Sequence, residues 1–101
     1  VIYDHFYGPS IEMHMAGITP DWVSRELIWA CFDYPFNQLG VDIVFGPVPS
    51  TKGYVLDLDR RLGFVEHTRL KGAVPGGDLV ILSMERHQCR WLNRPKVPAH
   101  G

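Results

Sequence analysis

Arg60-Arg61-Leu62-Gly63-Phe64 is the stretch on which the fold turns. Before it, Val55, Leu58 and Leu62 recur at helical spacing, with Asp57, Asp59, Arg60 and Arg61 mainly on the outward face. Gly63 supplies a left-handed stop, a conformation that a side chain resists. Phe64 can pack back over the last turn and opens a strand to Leu70. Upstream, Ser50 or Thr51 is the expected cap of this helix.

Working outward, Val41 to Val48 is apolar on both faces, which suits a strand buried within a sheet, and Pro47 and Pro49 are expected to close it. Thr19-Pro20-Asp21 starts an earlier helix: Thr19 caps, Pro20 fits the first position and Asp21 favours the positive end of the dipole. That helix is expected from about Pro20 to Leu39, with Val23, Leu27, Ala30, Cys31 and Tyr34 as its apolar stripe. Pro35 would cost about 3 kcal/mol inside a regular helix, so a kink is expected there, or an end near Asp33 followed by a short turn.

At the N-terminus, Val1 to Phe6 and the alternating run from Ile11 flank a Gly8-Pro9 turn and read as a hairpin. A turn-rich connection, Lys71 to Gly77, joins Phe64–Leu70 to an apolar strand from Leu79 to Met84 in a second hairpin. The order is β-β-α-β-α-β-β. The middle strand-helix-strand unit predicts a right-handed parallel crossover, and the hairpins predict antiparallel flanks. The expected class is α+β with a mixed sheet, one domain over residues 1–92 and a mobile tail over 93–101.

With 101 residues, 46% hydrophobic and 21% charged, the composition is that of one small globular domain. A formal charge of −1 gives no field to draw in nucleic acid or an anionic membrane, so neither partner is expected. No apolar run approaches the roughly 18 residues of a membrane span. Cys31 and Cys89 form neither a CxxC nor a zinc array; Cys31 reads as a buried small hydrophobe, and a reducing cytoplasm is expected.

The element order with these motifs resembles the C-terminal two-thirds of the GNAT (acyl-CoA N-acyltransferase) fold, from Ile11 to Met84. Met84-Glu85-Arg86 followed by Cys89-Arg90-Trp91-Leu92 is similar to small acetyltransferase-like proteins of bacteria and their phages. The resemblance implies acetyl-CoA as co-substrate and no metal. It implies a wedge between the strand at Ile11–Ala16 and the strand at Val41–Val48 that takes the thioester and pantetheine. It implies a pyrophosphate site in the following loop and helix start, giving Met15, Ala16, Gly17, Trp22, Val23, Ser24 and Arg25 as cofactor-binding candidates, with Lys52 at the start of the later helix. Trp22 stands where the family carries glycine, and Lys52 where it commonly carries asparagine. The family's tyrosine acid toward the departing thiolate aligns with Asp59, which makes nearby Tyr54 the candidate for that role. The family's N-terminal strand and two helices find no match in this chain.

Acetyl transfer to an amine needs a base and donors for the carbonyl oxygen. Glu12 and His14 lie two apart on one strand face, about 5–7 Å from each other, and form a candidate coupled base that His5 on the partner strand can join. His5, Glu12 and His14 have no local metal-ligand spacing. Arg86, Arg90, Arg94 and Lys96 with Trp91 read as a solvated tail or subunit contact. Trp22, Trp29 and Trp91 with Phe32, Tyr34 and Phe36 read as core, and a sheet face left uncovered by the family helices without a match here favours association, hence an expected homodimer. The expected function is acetyl transfer from acetyl-CoA to an unidentified amine; the alternative is a binding or assembly protein that keeps the scaffold without catalysis.

Overall fold

The computed structural model describes residues 2–14 and 25–92. Strands β1 (Ile2–Asp4) and β2 (Ser10–His14) are followed by helix α1 (Arg25–Asp33), strand β3 (Ile43–Pro49), helix α2 (Gly53–Leu62), and strands β4 (Val65–Val74) and β5 (Gly77–Glu85). They form a five-stranded sheet in the order β1-β2-β3-β5-β4. β2 and β3 are parallel and every other neighbouring pair is antiparallel. This is the α+β mixed sheet expected from the sequence. The expected helix start at Pro20 lies outside the described residues.

Pro35 acts as its chemistry requires. α1 ends at Asp33, and Tyr34–Gln38 continues as one π-helical turn whose wider spacing accommodates a residue without an N–H. The Leu39 amide donates to the Tyr34 carbonyl at 2.9 Å. The Asp33 carboxylate accepts from Gln38 Nε2 and Asn37 Nδ2, both at 2.8 Å, and these bonds hold its pKa below the usual carboxylate range. The turn also resets the helix phase. The buried set is Ile28, Cys31, Phe32 and Phe36, whereas Leu27 and Tyr34 of the expected stripe are exposed.

Those side chains join Ile11 and Met13 of β2, Val44 and Val48 of β3, Val80, Leu82 and Met84 of β5, and Leu56, Leu62 and Phe64 in one core. Phe32 links the two helical regions, with its ring 6.0 Å from Phe64 and 6.4 Å from Phe36. The Tyr3 hydroxyl donates to the Cys31 carbonyl at 2.5 Å and ties the N-terminal hairpin to α1.

Around the Leu62-Gly63-Phe64 corner the expectation holds. Gly63 has φ 114°, and the amides of Gly63 and Phe64 reach back to the Asp59 carbonyl at 3.1 and 3.0 Å. The C-terminal segment, expected as a solvated tail or subunit contact, instead closes this corner. Trp91 Nε1 donates to the Leu62 carbonyl at 2.7 Å, Arg90 donates to the Arg61 carbonyl, and the Arg90 guanidinium lies 4.5 Å from the Trp91 ring centroid. The last carbonyls of a helix are unpaired and carry partial negative charge, which explains what an arginine and an indole N–H find there. Arg86 performs a similar task upstream, donating to the carbonyls of Val41, at 2.9 Å, and Phe36.

Three boundaries move. Ser50 does not cap α2; its hydroxyl accepts from the Asp78 amide at 2.8 Å, and Lys52 occupies the N-cap position without a side-chain bond. The expected connection from Lys71 is mostly strand, since β4 runs to Val74 and only Pro75 and Gly76 separate it from β5. Irregular pairing between Leu70 and Val74, with Gly72 at φ 72°, absorbs the glycine-rich sequence as a bulge. The strand expected over Val41–Val48 begins at Ile43 and ends on Pro49, with Pro47 inside it.

Gly63→Ala is expected to cost about 1–2 kcal/mol, because an L-residue at this φ is strained. Urea denaturation of the purified variant measures it; unchanged stability would contradict the assignment of Gly63 as the obligatory stop.

Candidate functional site

The site begins where two parallel strands part. β2 pairs with β3 at Ser10–Ile43, Ile11–Val44 and Glu12–Phe45 and no further, although β3 keeps its other neighbour through Pro49–Leu79. The Ile43 amide points toward the β2 side, donating to the Pro9 carbonyl at 3.2 Å. Amide direction alternates along a strand, so positions 45, 47 and 49 face the same side. Two of those three are prolines and have no N–H. The ladder to β2 therefore runs out of donors after Phe45. Gly46 sits at the point of parting, where a Cβ would lie 2.7 Å from the Met13 carbonyl oxygen, so the last close approach needs glycine.

Beyond this point lies a cleft of about 220 Å³. β2 contributes Met13 and His14; β3 contributes Pro47, Val48 and Pro49; Lys52, Tyr54, Val55 and Asp59 come from the start and inner face of α2. Three of the sequence-derived candidates, His14, Lys52 and Tyr54, thus meet in one cavity. Glu12 stands behind His14. Its carboxylate contacts His14 Nε2 through one oxygen and His5 Nδ1 at 3.0 Å through the other. His5 adopts φ 48°, the one positive φ among the described non-glycine residues, and its amide donates to Asp4 Oδ1 at 2.8 Å. A carboxylate only accepts, so both imidazoles present an N–H to it, which leaves Nδ1 of His14 as an acceptor. Among the described residues no group of three or more His, Cys, Asp or Glu is arranged to hold a metal ion.

Asp59 is the cleft residue whose orientation the helical stripe predicts wrongly. It was expected outward, yet it is 6% exposed and its Oδ1 has no hydrogen-bond partner. Burial pushes its carboxyl pKa up to about 6. The signal was present: Val55, Asp59 and Leu62 also fall at helical spacing, and α2 buries Leu56, Asp59 and Leu62. Tyr54, by contrast, is 75% exposed at the cleft mouth. Arg25 opens α1. Met15, Ala16, Gly17, Trp22, Val23 and Ser24 lie outside the described residues.

No family model and no curated protein matches the chain. Solved structures do. A mutant of spermidine N-acetyltransferase SpeG from Vibrio cholerae superposes with a TM-score of 0.66 at 22% identity, covering 86% of this chain and 54% of that one. This chain has the GNAT acetyltransferase fold. A probable GNAT-family acetyltransferase from Chromobacterium violaceum gives 0.67 at 19% identity, covering 85% and 48%. A GNAT-family acetyltransferase from Bacillus anthracis gives 0.64 at 12%, covering 83% and 55%. At these identities the likeness is one of fold, and the chain spans about half the length of the proteins it matches. Among the described residues no helix is long and apolar enough to cross a membrane.

The carboxyl of Asp59 makes stability depend on pH. Below its ordinary value of 3.8 the group is protonated in folded and unfolded chains alike. Between that value and about 6 only the folded chain keeps the proton, so stability falls as pH rises through this window, by on the order of 3 kcal/mol in all. Asp59→Asn is expected to gain on wild type by this order between pH 4 and pH 8 in chemical denaturation; the same difference at both pH values would overturn the assignment.

Proposed function

We propose that this protein transfers an acetyl group from acetyl-CoA to an amine. The observation that carries the reading is the cleft between β2 and β3, with an imidazole on one wall and a strand edge short of donors on the other. An edge with prolines at positions 47 and 49 still presents carbonyls where it lacks N–H groups. An extended arm bearing amide N–H groups complements such an edge, and pantetheine is such an arm. Burial between Met13, Val48 and Val55 suits its apolar methylenes.

His14 then serves as base and Glu12 holds its tautomer and stabilises the imidazolium. The neutral amine attacks the thioester carbonyl carbon, its proton passes to Nδ1 of His14, and the C–S bond breaks with its electron pair on sulfur. Tyr54 and Lys52, at the mouth, meet the more polar part of the arm. Met15, Ala16, Gly17, Trp22, Val23, Ser24 and Arg25 are the proposed contacts of the pyrophosphate end. The acceptor class is an amine. The likeness to a protein named for spermidine acetylation makes spermidine the first probe. Cys31 and Cys89 are free and buried, in keeping with a reducing compartment such as the cytoplasm.

Acetyl-CoA at 100 times its dissociation constant is expected to stabilise the fold by about 2.7 kcal/mol, raising Tm by roughly 10–20 °C. Thermal denaturation with and without the ligand, followed by thiol release on adding spermidine or other amines, tests both halves. An unmoved Tm at millimolar acetyl-CoA would refute the reading, and binding without thiol release to any amine would favour a binding protein on the same scaffold.

We further infer a homodimer. The sheet face opposite the core carries a groove of about 270 Å³ lined by Ser10, Ile43, Phe45, His67, Ile81 and Ser83, and Trp29 is exposed on α1. Light scattering is expected to give twice the chain mass of 11.5 kDa, and a clean monomer would refute the pairing.

A further inference from the structure

Glu12 has more neighbours than its contact with His14 accounts for. Asp4 stands directly across from it on β1, and Phe45 directly across on β3. Two carboxylates facing each other across a strand pair repel. Among the described residues no lysine or arginine lies within ion-pair reach of either; the groups that approach Glu12 are the imidazoles of His5 and His14.

His5 is held in this position from three sides. Its backbone takes φ 48°, a left-handed value that a side chain resists. Asp4 secures that backbone, with Oδ1 accepting from the His5 amide at 2.8 Å. The His5 ring is layered on Tyr7 at 6.4 Å and 13°, and Tyr7 on Phe45 at 6.4 Å and 27°, so a run of three rings reaches from β3 to the imidazole. The Tyr7 amide donates to the Ser10 carbonyl at 2.9 Å and closes the hairpin beneath the stack. His5 Nδ1 then lies 3.0 Å from Glu12 Oε1 and 3.7 Å from Asp4 Oδ2, so its N–H goes to Glu12.

We propose that His5 is a positioning residue for His14 and acts through Glu12. Its catalytic consequence rests on the acetyl-transfer reading above, to which it adds a residue. His5 is absent from the lining of the cleft and its ring is half exposed, so it meets no substrate there. With Oε1 engaged by His5, the plane of the carboxylate is fixed and the other oxygen is held on Nε2 of His14. His14 keeps its proton on Nε2 and a bare Nδ1 for the amine. Without the His5 N–H, Glu12 turns about its last bond away from Asp4. His14 then divides between two tautomers, one of which already holds a proton where the amine's must go. No proton passes through His5; its part is to keep one oxygen aimed.

Three substitutions separate what His5 supplies. His5→Gly keeps the left-handed backbone and removes the ring. His5→Phe keeps the stack and removes the N–H. His5→Asn tolerates the left-handed backbone and places an amide N–H where Nδ1 stands. The first readout is the ¹⁵N NMR signal of the His14 ring at pH 8, where imidazole is ordinarily neutral and bare and protonated nitrogens resonate apart. Wild type and His5→Asn are expected to show a protonated Nε2 and a bare Nδ1, and His5→Gly and His5→Phe a mixture. The second readout is turnover with acetyl-CoA and spermidine, or the amine identified above. His5→Gly and His5→Phe are expected to lose about tenfold or more in kcat at unchanged KM for acetyl-CoA, and His5→Asn to recover most of it. On a Glu12→Gln background, His5→Gly is expected to add no further loss. A tautomer mixture already present in wild type, or an unchanged tautomer in His5→Gly and His5→Phe, overturns the role of His5. So does a loss in His5→Asn equal to that in His5→Gly. The expected spectra from a wild type that turns over no amine support the positioning and overturn the acetyl-transfer reading alone.

Discussion

The missing N–H groups of Pro47 and Pro49 are the constraint from which the site follows. A parallel pair persists only while each strand offers donors to the other, and β3 offers none to β2 after Phe45. The strand does not fray, because its opposite edge stays paired with β5 as far as Pro49. One neighbour is lost while the other is kept. The result is a gap with a rigid wall, not a loose end. Gly46 lets the two backbones touch where they part, which fixes the narrow end of the gap.

The second wall depends on how α2 is held. Its C-terminus is stopped by Gly63 and its last carbonyls are taken by Arg90 and Trp91, while Leu56 and Leu62 anchor one face in the core. With rotation and end both fixed, Asp59 has no freedom to swing into water. The penalty for an unpartnered carboxyl falls on one residue and is offset by the apolar contacts on either side of it.

Much of this architecture is legible in the residues. The Leu62-Gly63-Phe64 corner, the break at Pro35, both hairpins and the parallel middle unit each rest on a local signal, a turn residue or a period, that tertiary contacts did not override. What is not legible depends on register or rotation. Pro47 and Pro49 look like strand breakers until the pairing shows which edge their absent N–H groups face. Asp59 sits between two overlapping stripes, Val55-Leu58-Leu62 and Val55-Asp59-Leu62, and only the packing of Leu56 selects the second. Arg86, Arg90 and Trp91 look like a solvated end because the carbonyls they seek, on Phe36, Val41, Arg61 and Leu62, are distant in sequence. His14 and Glu12 were visible as a pair because both lie on one short strand; the lysine and the aspartate across the cleft come from an element whose approach no local pattern specifies.

The position of β5 bears on how the molecule is made. It is the last of the described strands in sequence, yet it lies between β3 and β4 in the sheet. A ribosome delivers the chain from its N-terminus, so β3 and β4 emerge with the slot between them empty. Until residues 77–85 arrive, Val44 and Val48 lack their facing partners Met84 and Val80, and the apolar faces of both helices have only half a sheet to cover. Completion is thus a single late insertion that joins the two parts of the sheet at once. Such closure leaves the nascent chain dependent on protection of its exposed strand edges until synthesis has passed Glu85.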